Sequence, residues 1–274
     1  MTLNIKDKPK DGFERVVYAE EDKFNFYSVI AIHNTKRGPA LGGCRYFNYQ
    51  DFNKQEEDVL KLAEAMTYKN SLAELPFGGG KATIHSKINK KDAYSLFGEV
   101  LNKLNGTYIT AGDMGTVDED LRGFREYSDH VCNPIGSDSG LGTALGVYYS
   151  MLGCVEFKFG QDSLVNKNIF IKGYGKTGSR IASLCKKDGA NIEISDLEHK
   201  KDLIERDGYK FCSQLQDTSF EKIDIYSPCA GGGDLNKEFL NFANNKILMI
   251  TGSANNQLDN IDIEKELFNK GILY

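Results

Sequence analysis

The sequence predicts an α/β protein of two domains, the second built on a doubly wound parallel sheet. Three observations carry that expectation. A chain of 274 residues exceeds what one hydrophobic core ordinarily organises, so two domains are the starting point. Runs of β-branched and aromatic residues alternate with stretches whose apolar residues recur at three- and four-residue spacing, the pattern of strands joined by crossover helices. Finally, GYGKTG at 173–178 follows the apolar run NIFIK and opens a helix-period stretch, the context in which a G-x-G-x-x-G string cradles a dinucleotide. The expected boundary is at 135/136. There CNPIGSDSGLG, with Pro134, Gly136, Ser137, Asp138, Ser139, Gly140 and Gly142 and few apolar residues, reads as a hinge. Residues 1–135 and 136–274 are then the two domains.

Taken in order, residues 13–20 and 24–33 are rich in Val, Ile, Tyr and Phe and read as two strands joined by the polar turn Glu21 to Lys23. From Gly38 to Lys81 a glycine-rich opening and a glycine-rich close flank a helix-period segment. Val59, Leu62, Ala63 and Met66 fall on one face of that helix and Lys69 on its last turn. Gly78 to Gly80 then deliver Lys81 from a stretch without side chains, so its ammonium can approach a ligand closely. The two ends read as built to meet over one small anion. The plainer alternative is that Lys69 caps a helix C-terminus and the glycines form a turn. A strand ATIHS follows from Ala82, then a helix over about 91–104 on Ala93, Leu96, Phe97, Val100 and Leu101, ended by Gly106. TYIT (107–110) is a strand leading into AGDMGTVDEDL, where Asp113 stands between Gly112 and Gly115 and Asp118 is the candidate helix cap.

In the second half TALGVYYSMLGCVEFKF is a helix. Next, NIFIK, the glycine loop, a helix and a strand ending at Asp196 form one unit. Gly173 makes the tight turn, Gly175 admits a pyrophosphate to the backbone, with Lys176 and Thr177 beside it, and Gly178 lets helix pack on strand. The helix N-terminus offers N–H groups to phosphate, and Asp196, about 20 residues on, is placed to accept from the adenosine ribose. Strands at YKFC (209–212), IDIYS (223–227), ILMIT (247–251) and GILY (271–274) complete a six-strand set. Cys229 and Ala230 of SPCAGGG, and Ser253, Ala254 and Asn255 of TGSANNQL, follow two of these strands. Ligands of open α/β sheets bind beyond strand carboxyl ends.

Composition excludes several classes. Lys+Arg 34 against Asp+Glu 39 gives a net charge of -5, with no basic stripe to neutralise a duplex, so nucleic acid is not an expected partner. No apolar run is long enough to span a bilayer, and MTLNIKDKPKDGFERV lacks a signal peptide's apolar core, which leaves the cytoplasm as the expected compartment. Cys44, Cys132, Cys154, Cys185, Cys212 and Cys229 form no C-x-x-C pair and read as reduced, mostly buried thiols. His33, His85, His130 and His199 are dispersed, and no metal site is expected.

GPALGGCR, AEAMTYKN and PFGGGK, with ITAGDMGT, TALGV, SPCA and GSANNQL, stand in an order and spacing that resemble the glutamate/leucine/phenylalanine/valine amino-acid dehydrogenases, the leucine-type branch most closely. The likeness runs from about Asp11 to Tyr274. It implies an N-terminal α/β substrate and dimerisation domain and a C-terminal Rossmann domain, and a reaction that deaminates a small aliphatic amino acid to a 2-keto acid and ammonia with NAD. By the resemblance Lys69 anchors the α-carboxylate, Lys81 is the base and Asp113 relays protons at the substrate nitrogen. Gly42 and Gly43 approach the substrate, and Leu41, Met66 and Ala111 line its apolar pocket. Thr143 meets the nicotinamide carboxamide and Asn255 its ribose. Two lysines in one closed cleft should depress one another's pKa. Asp196, with no Arg beside it, should prefer NAD to NADP.

The chain differs from that pattern at Gly112, where relatives commonly carry an acid, and at Ser139-Gly140-Leu141, where they carry a Pro-Ser-Pro-like lead-in. It also stops where they continue with an N-A-G-G turn and a returning helix. The resulting expectation is a homo-oligomer that binds dinucleotide but turns over poorly unless a second polypeptide completes the site. Two alternatives stay open: a non-catalytic or partner-dependent NAD-binding relative, and a biosynthetic enzyme coupling imines or keto acids.

Overall fold

Runs of Val, Ile, Tyr and Phe, buried on both faces, set the first sheet. Arg15–Glu21 and Phe26–Asn34 are strands (β2, β3) paired antiparallel, with Asn4–Asp7 (β1) on the outer edge of β2. The link between β2 and β3 is a single 3-10 turn at Asp22–Phe24, closed by Asn25 at φ 51° and by the Glu21 carboxylate accepting from the Phe24 N–H. Ala40–Phe47 (β4), Gly78–His85 (β5) and Tyr108–Gly112 (β6) complete a six-stranded sheet in the order β1-β2-β3-β5-β4-β6. In it β5, β4 and β6 run parallel and β3 meets β5 antiparallel. The structure is a computed structural model and describes residues 3–85, 87–132 and 139–274, the side chain of Ser139 excepted.

Three helices cover this sheet. Phe52–Leu72 (α1) opens where the Asp51 carboxylate accepts from the Lys54 N–H, and Lys90–Lys103 (α2) where Asn89 accepts from Lys91. Each such cap is worth about 1 kcal/mol. Asp118–Arg125 is α3. Because side chains alternate across a strand, the sheet builds two layers. Val16, Tyr18, Val29 and Ala31 pack on Val59 and Ala63 of α1. On the other face Ile30, Ile32, Ala82 and Ile84 pack on Phe97, Val100 and Leu101 of α2 and Phe124 of α3.

Two readings are corrected in this half, the turn at Gly78 to Gly80 and the Asp118 cap, and two strands are added to it. The glycine-rich opening is strand β4, and Gly78 to Gly80 are the first residues of β5 rather than a turn. Their backbones pair with neighbouring strands, which local propensity does not register. The polar segment NIKD forms edge strand β1, held by pairing to β2. Asp118 is not the cap of α3: the residue before the helix is Val117, whose N–H donates to Asp120 Oδ2 at 2.8 Å.

The chain divides into Met1–Ile135 and Gly136–Tyr274. In the second unit Asn168–Lys172 (β7), Asn191–Ser195 (β8), Lys210–Cys212 (β9), Ile223–Pro228 (β10) and Ile247–Ile250 (β11) form an all-parallel sheet in the order β11-β10-β7-β8-β9. Helices Ser139–Phe159 (α4), Gly178–Lys187 (α5) and Lys201–Arg206 (α6) supply Ala144, Met151, Ile181 and Ile204 to one face. Lys237–Ala243 (α7) and Asp262–Asn269 (α8) supply Phe239, Leu240, Ile263 and Leu267 to the other. Burial on both sides explains the uninterrupted apolar cores of β7 (NIFIK) and β11 (ILMI).

The sixth strand expected at GILY is a single bridge, Met249 to Leu273. Gly271, at φ 68°, turns the chain out of α8 so that only the segment around Leu273 runs beside β11. The expected hinge falls largely on residues 133–138, outside the described residues. Cys44, Cys185 and Cys212 are buried, Cys132 is exposed, and Cys154 and Cys229 are half-buried, so fewer thiols are buried than expected. No helix among the described residues is long and apolar enough to cross a membrane.

Candidate active site

In the first unit the site grows from β5. Gly79, Lys81, Thr83 and His85 alternate onto the face that α1 covers: a Cβ at Gly79 would lie 2.1 Å from the Thr67 amide nitrogen, and Gln55 Nε2 donates to Thr83 Oγ1 at 3.1 Å. Gly79 is therefore glycine so that α1 can rest on the strand, two residues before Lys69 on the helix and two before Lys81 on the strand. Asn70, buried, clamps the contact by donating to the carbonyls of Gly78 (2.6 Å) and Leu41 (3.4 Å). In register beside β5, Leu41 pairs with Gly79 and Arg45 with Thr83. On the far side of β4, Gly43 pairs with Ala111. Laterally paired residues point the same way, so Leu41, Gly43, Arg45, Lys81 and Ala111 share one face.

Gly43 leaves the middle of that face bare, and across it Lys81 Nζ reaches Asp113 Oδ1 at 3.2 Å, with side chains only 5% and 15% exposed. The Asp113 loop is pinned by Thr116, whose Oγ1 accepts from the Asp113 N–H at 2.8 Å and donates to the Cys44 carbonyl at 2.7 Å. Arg45, which the sequence reading passed over, donates through Nε to Asp113 Oδ2 at 2.9 Å and through Nη1 to both oxygens of Asp58 on α1 at 2.8 and 3.1 Å. Its signal lay in GGCR, a cation at strand period from Gly43.

Burial pushes the Lys81 ammonium below its ordinary range, against the pull of Asp113, and Arg45 pushes it further down. Burial would raise Asp113, but Lys81 and Arg45 together hold its carboxyl below the usual range. The depressed lysine thus owes its shift first to desolvation and second to an arginine. Lys69, the cation expected to cause it, is exposed on the last turn of α1. Leu41, Met66 and Ala111 are half-buried. The room at Gly42 is filled by backbone, since a Cβ there would sit 1.7 Å from the Gly80 oxygen.

In the second unit the loops after β7, β8 and β10 converge where the strand order reverses. Gly173 has φ 107°, a conformation only glycine adopts readily, and a Cβ on it would meet the Cys229 backbone at 2.9 Å. A Cβ on Gly178 would lie 2.0 Å from the Gly173 oxygen, which fixes α5 against β7, whereas one on Gly175 would meet nothing within 4 Å. Asp196 accepts from the Tyr174 N–H at 2.5 Å and the Leu197 N–H at 2.6 Å. A cavity of about 390 Å³ opens here, lined by Gly173, Asp196 and Ala230 among the expected residues. Its other walls, Lys172, Ser213 to Gln216, Tyr226 and Asp234, were not singled out from sequence. Asp234 closes it by pairing with Lys172 and accepting from the Tyr226 hydroxyl.

The loops after β10 and β11 stand side by side, Ala254 N–H donating to the Pro228 carbonyl at 2.9 Å. Ser253, Ala254 and Asn255 therefore adjoin Cys229 and Ala230. Lys176 packs on Gly140 at the start of α4. Thr143 is exposed on the next turn of that helix, and Thr177 precedes α5. A glycine cradle open at Gly175, a helix N-terminus and a carboxylate at the end of β8 fit a dinucleotide.

A family sequence profile described as Glu/Leu/Phe/Val dehydrogenase, dimerisation domain, matches residues 14–129. The phenylalanine dehydrogenase of Thermoactinomyces intermedius is 38% identical over 258 residues, 90% of this chain and 70% of the relative. The leucine dehydrogenase of Bacillus subtilis (strain 168) is 34% identical over 281 residues, 98% and 76% of the two chains. Among solved structures, the L-tryptophan dehydrogenase from Nostoc punctiforme superposes with a TM-score of 0.72 at 29% identity, covering 96% of this chain and 77% of that one.

Proposed function

Because the chain belongs to the Glu/Leu/Phe/Val dehydrogenase family, we propose that it catalyses the reversible NAD-dependent oxidative deamination of a small aliphatic L-amino acid. In balance, the amino acid, water and the oxidised dinucleotide give the 2-keto acid, ammonium, the reduced dinucleotide and a proton. The observation that carries the reading is the buried Lys81–Asp113 pair at 3.2 Å, set on the sheet face that also presents Leu41 and Ala111. A lysine whose pKa burial lowers gives up its proton more readily and is the better base, and an anionic carboxylate beside it accepts a hydrogen bond from the substrate nitrogen.

Lys69 pairs with the substrate α-carboxylate from the last turn of α1. Lys81, neutral, takes the proton of the water that attacks the substrate imine. Asp113 holds the nitrogen and moves its proton as the amine leaves. Leu41, Met66 and Ala111 accept an apolar side chain, and none of them offers a charge to a glutamate carboxylate. Gly173, Gly175, Lys176, Thr177 and Gly178 would hold the pyrophosphate. Thr143, Cys229, Ala230, Ser253, Ala254 and Asn255 would line the nicotinamide end. When bound, the nicotinamide supplies the hydride acceptor. Asp196 favours NAD, because a carboxylate accepts from a ribose hydroxyl and repels a 2′-phosphate.

The match of residues 14–129 to a dimerisation domain supports a homo-oligomer. The relatives above are named for phenylalanine and leucine, so identity alone does not choose the side chain. The half-buried Leu41 and Ala111 favour the aliphatic class. Initial rates of dinucleotide reduction with leucine, valine, phenylalanine and glutamate test the reading. Leucine or valine should lead, and a lead for glutamate would reject it.

A further inference from the structure

We infer that Arg45, held by Asp58, is a positioning residue that decides where the mobile proton of this site resides: it keeps Asp113 anionic, with one oxygen turned to Lys81, and leaves Lys81 as the group that gains and loses the proton. This rests on the reading of Lys81 as the base. On the face under α1 two carboxylates, Asp58 and Asp113, lie beside two cations, Arg45 and Lys81. A guanidinium stays charged at any pH a protein survives and has donors in a fixed fork. Arg45 spends that fork on both carboxylates, Nη1 on Asp58 and Nε on Asp113 Oδ2. Among the described residues, Lys81 pairs with Asp113 Oδ1.

Without Arg45, Lys81 would face two uncompensated carboxylates in a site of low dielectric, and each would bind its proton more tightly. With Arg45, one unit of negative charge is cancelled, and desolvation can make the lysine a base. The same guanidinium makes Asp113 a poor proton store, so a proton it takes from the substrate nitrogen is passed on and comes to rest on Lys81. Asp58 in turn is fixed by the Tyr49 hydroxyl, which donates to its Oδ2 at 2.8 Å, and it partly neutralises Arg45. Other titratable groups on the elements around Lys81 are Cys44 on β4, whose thiol burial pushes well up, Tyr108 on β6, whose hydroxyl burial pushes well up, His85 further along β5, whose ring burial pushes down, Lys69 on α1, and His33 on β3, held by Thr67 Oγ1 at 2.8 Å.

The arrangement demands opposite signs from two neighbours. Removing the cation, Arg45→Gln, should raise the Lys81 midpoint by about one pH unit, the scale of a like charge held nearby in a buried site. Removing its counter-ion, Asp58→Asn, should lower the midpoint. The measurement is the ¹³Cε shift of Lys81 against pH in the full chain with labelled lysine, assigned by Lys81→Arg. The kcat profile is followed alongside and should move its ascending limb with the midpoint. Arg45→Lys, which keeps the charge but not the fork, should hold the midpoint near wild type while kcat falls, and it carries the test with Asp58→Asn if Arg45→Gln does not fold. A purely structural Arg45 would leave the midpoint in place or shift it the same way in both neutralising variants, and either result overturns the proposal. If the wild type turns over no amino acid, the dehydrogenase reading fails, yet the titration still decides the relation of Arg45 to Lys81.

Discussion

Replacing Gly43 with alanine tests the geometry of the site at its tightest point. The new methyl carbon would stand 2.6 Å from the Gly112 oxygen and 2.8 Å from Asp113 Cβ, where ordinary contact begins near 3.4 Å. Asp113 would have to retreat by about 0.6 Å, the difference between those last two distances, and its 3.2 Å contact with Lys81 would lengthen or rotate. Overpacking of this size costs roughly 1–3 kcal/mol, about 2–4 °C in Tm for each kcal/mol in a domain of some 150 residues. Misplacing a catalytic group by about 1 Å costs on the order of 10²-fold, so kcat should fall by roughly ten- to a hundred-fold with dinucleotide affinity unchanged. Steady-state kinetics and a thermal melt read both effects. Gly153→Ala on α4, where a Cβ meets nothing within 4 Å, is the control and should not lower Tm. A rise in KM alone, with kcat and Tm as in wild type, would show that Gly43 is bare for the substrate's sake and would refute the packing argument.

At the dinucleotide site, calorimetry should find NAD bound more tightly than NADP. Asp196→Asn should narrow the gap by removing the charge while keeping an acceptor for the Tyr174 N–H, and equal binding of both by the wild type would contradict this assignment of Asp196. In the first unit, burial alone would raise Asp120, but hydrogen bonds from Lys90, Tyr94 and the Val117 N–H hold its carboxyl below the ordinary 3.8. A depressed folded pKa stabilises above the unfolded value and is lost as pH falls through the folded one. The wild type should therefore lose stability below about pH 4, whereas Asp120→Asn should be less stable at neutral pH and flatter in acid. Parallel acid profiles for the two would remove Asp120 from the explanation.

Helices and the dinucleotide fingerprint were legible in the sequence because their signals are local. The three- and four-residue spacing of Val59, Leu62 and Ala63 marks a helix that buries those residues, and GYGKTG announces a turn that glycine alone permits. What was not legible depends on contacts between distant segments. Strand β4 carries no strand signal, since its glycines have no alternating side chains. They are fixed instead by neighbours, Gly42 by the Gly80 oxygen and Gly43 by Asp113. Edge strand β1 has one apolar residue, Ile5, and is held by pairing that propensity does not register. Lys81 and Asp113 were singled out, but Arg45 and Asp58 were not. Only the register of β4 on β5 and the placement of α1 bring those two to the pair.

The most direct test of the account is a comparison of the wild type with Lys81→Ala and Lys69→Ala, reading amino-acid turnover with leucine by dinucleotide reduction and NAD affinity by calorimetry. Lys81→Ala should lose turnover almost entirely, and Lys69→Ala should mainly raise KM for the amino acid. Both should bind NAD as the wild type does, because the expected dinucleotide-binding residues all lie in Gly136–Tyr274 and both lysines in Met1–Ile135. A Lys81→Ala variant that keeps a substantial share of the wild-type rate would contradict the assignment of the base.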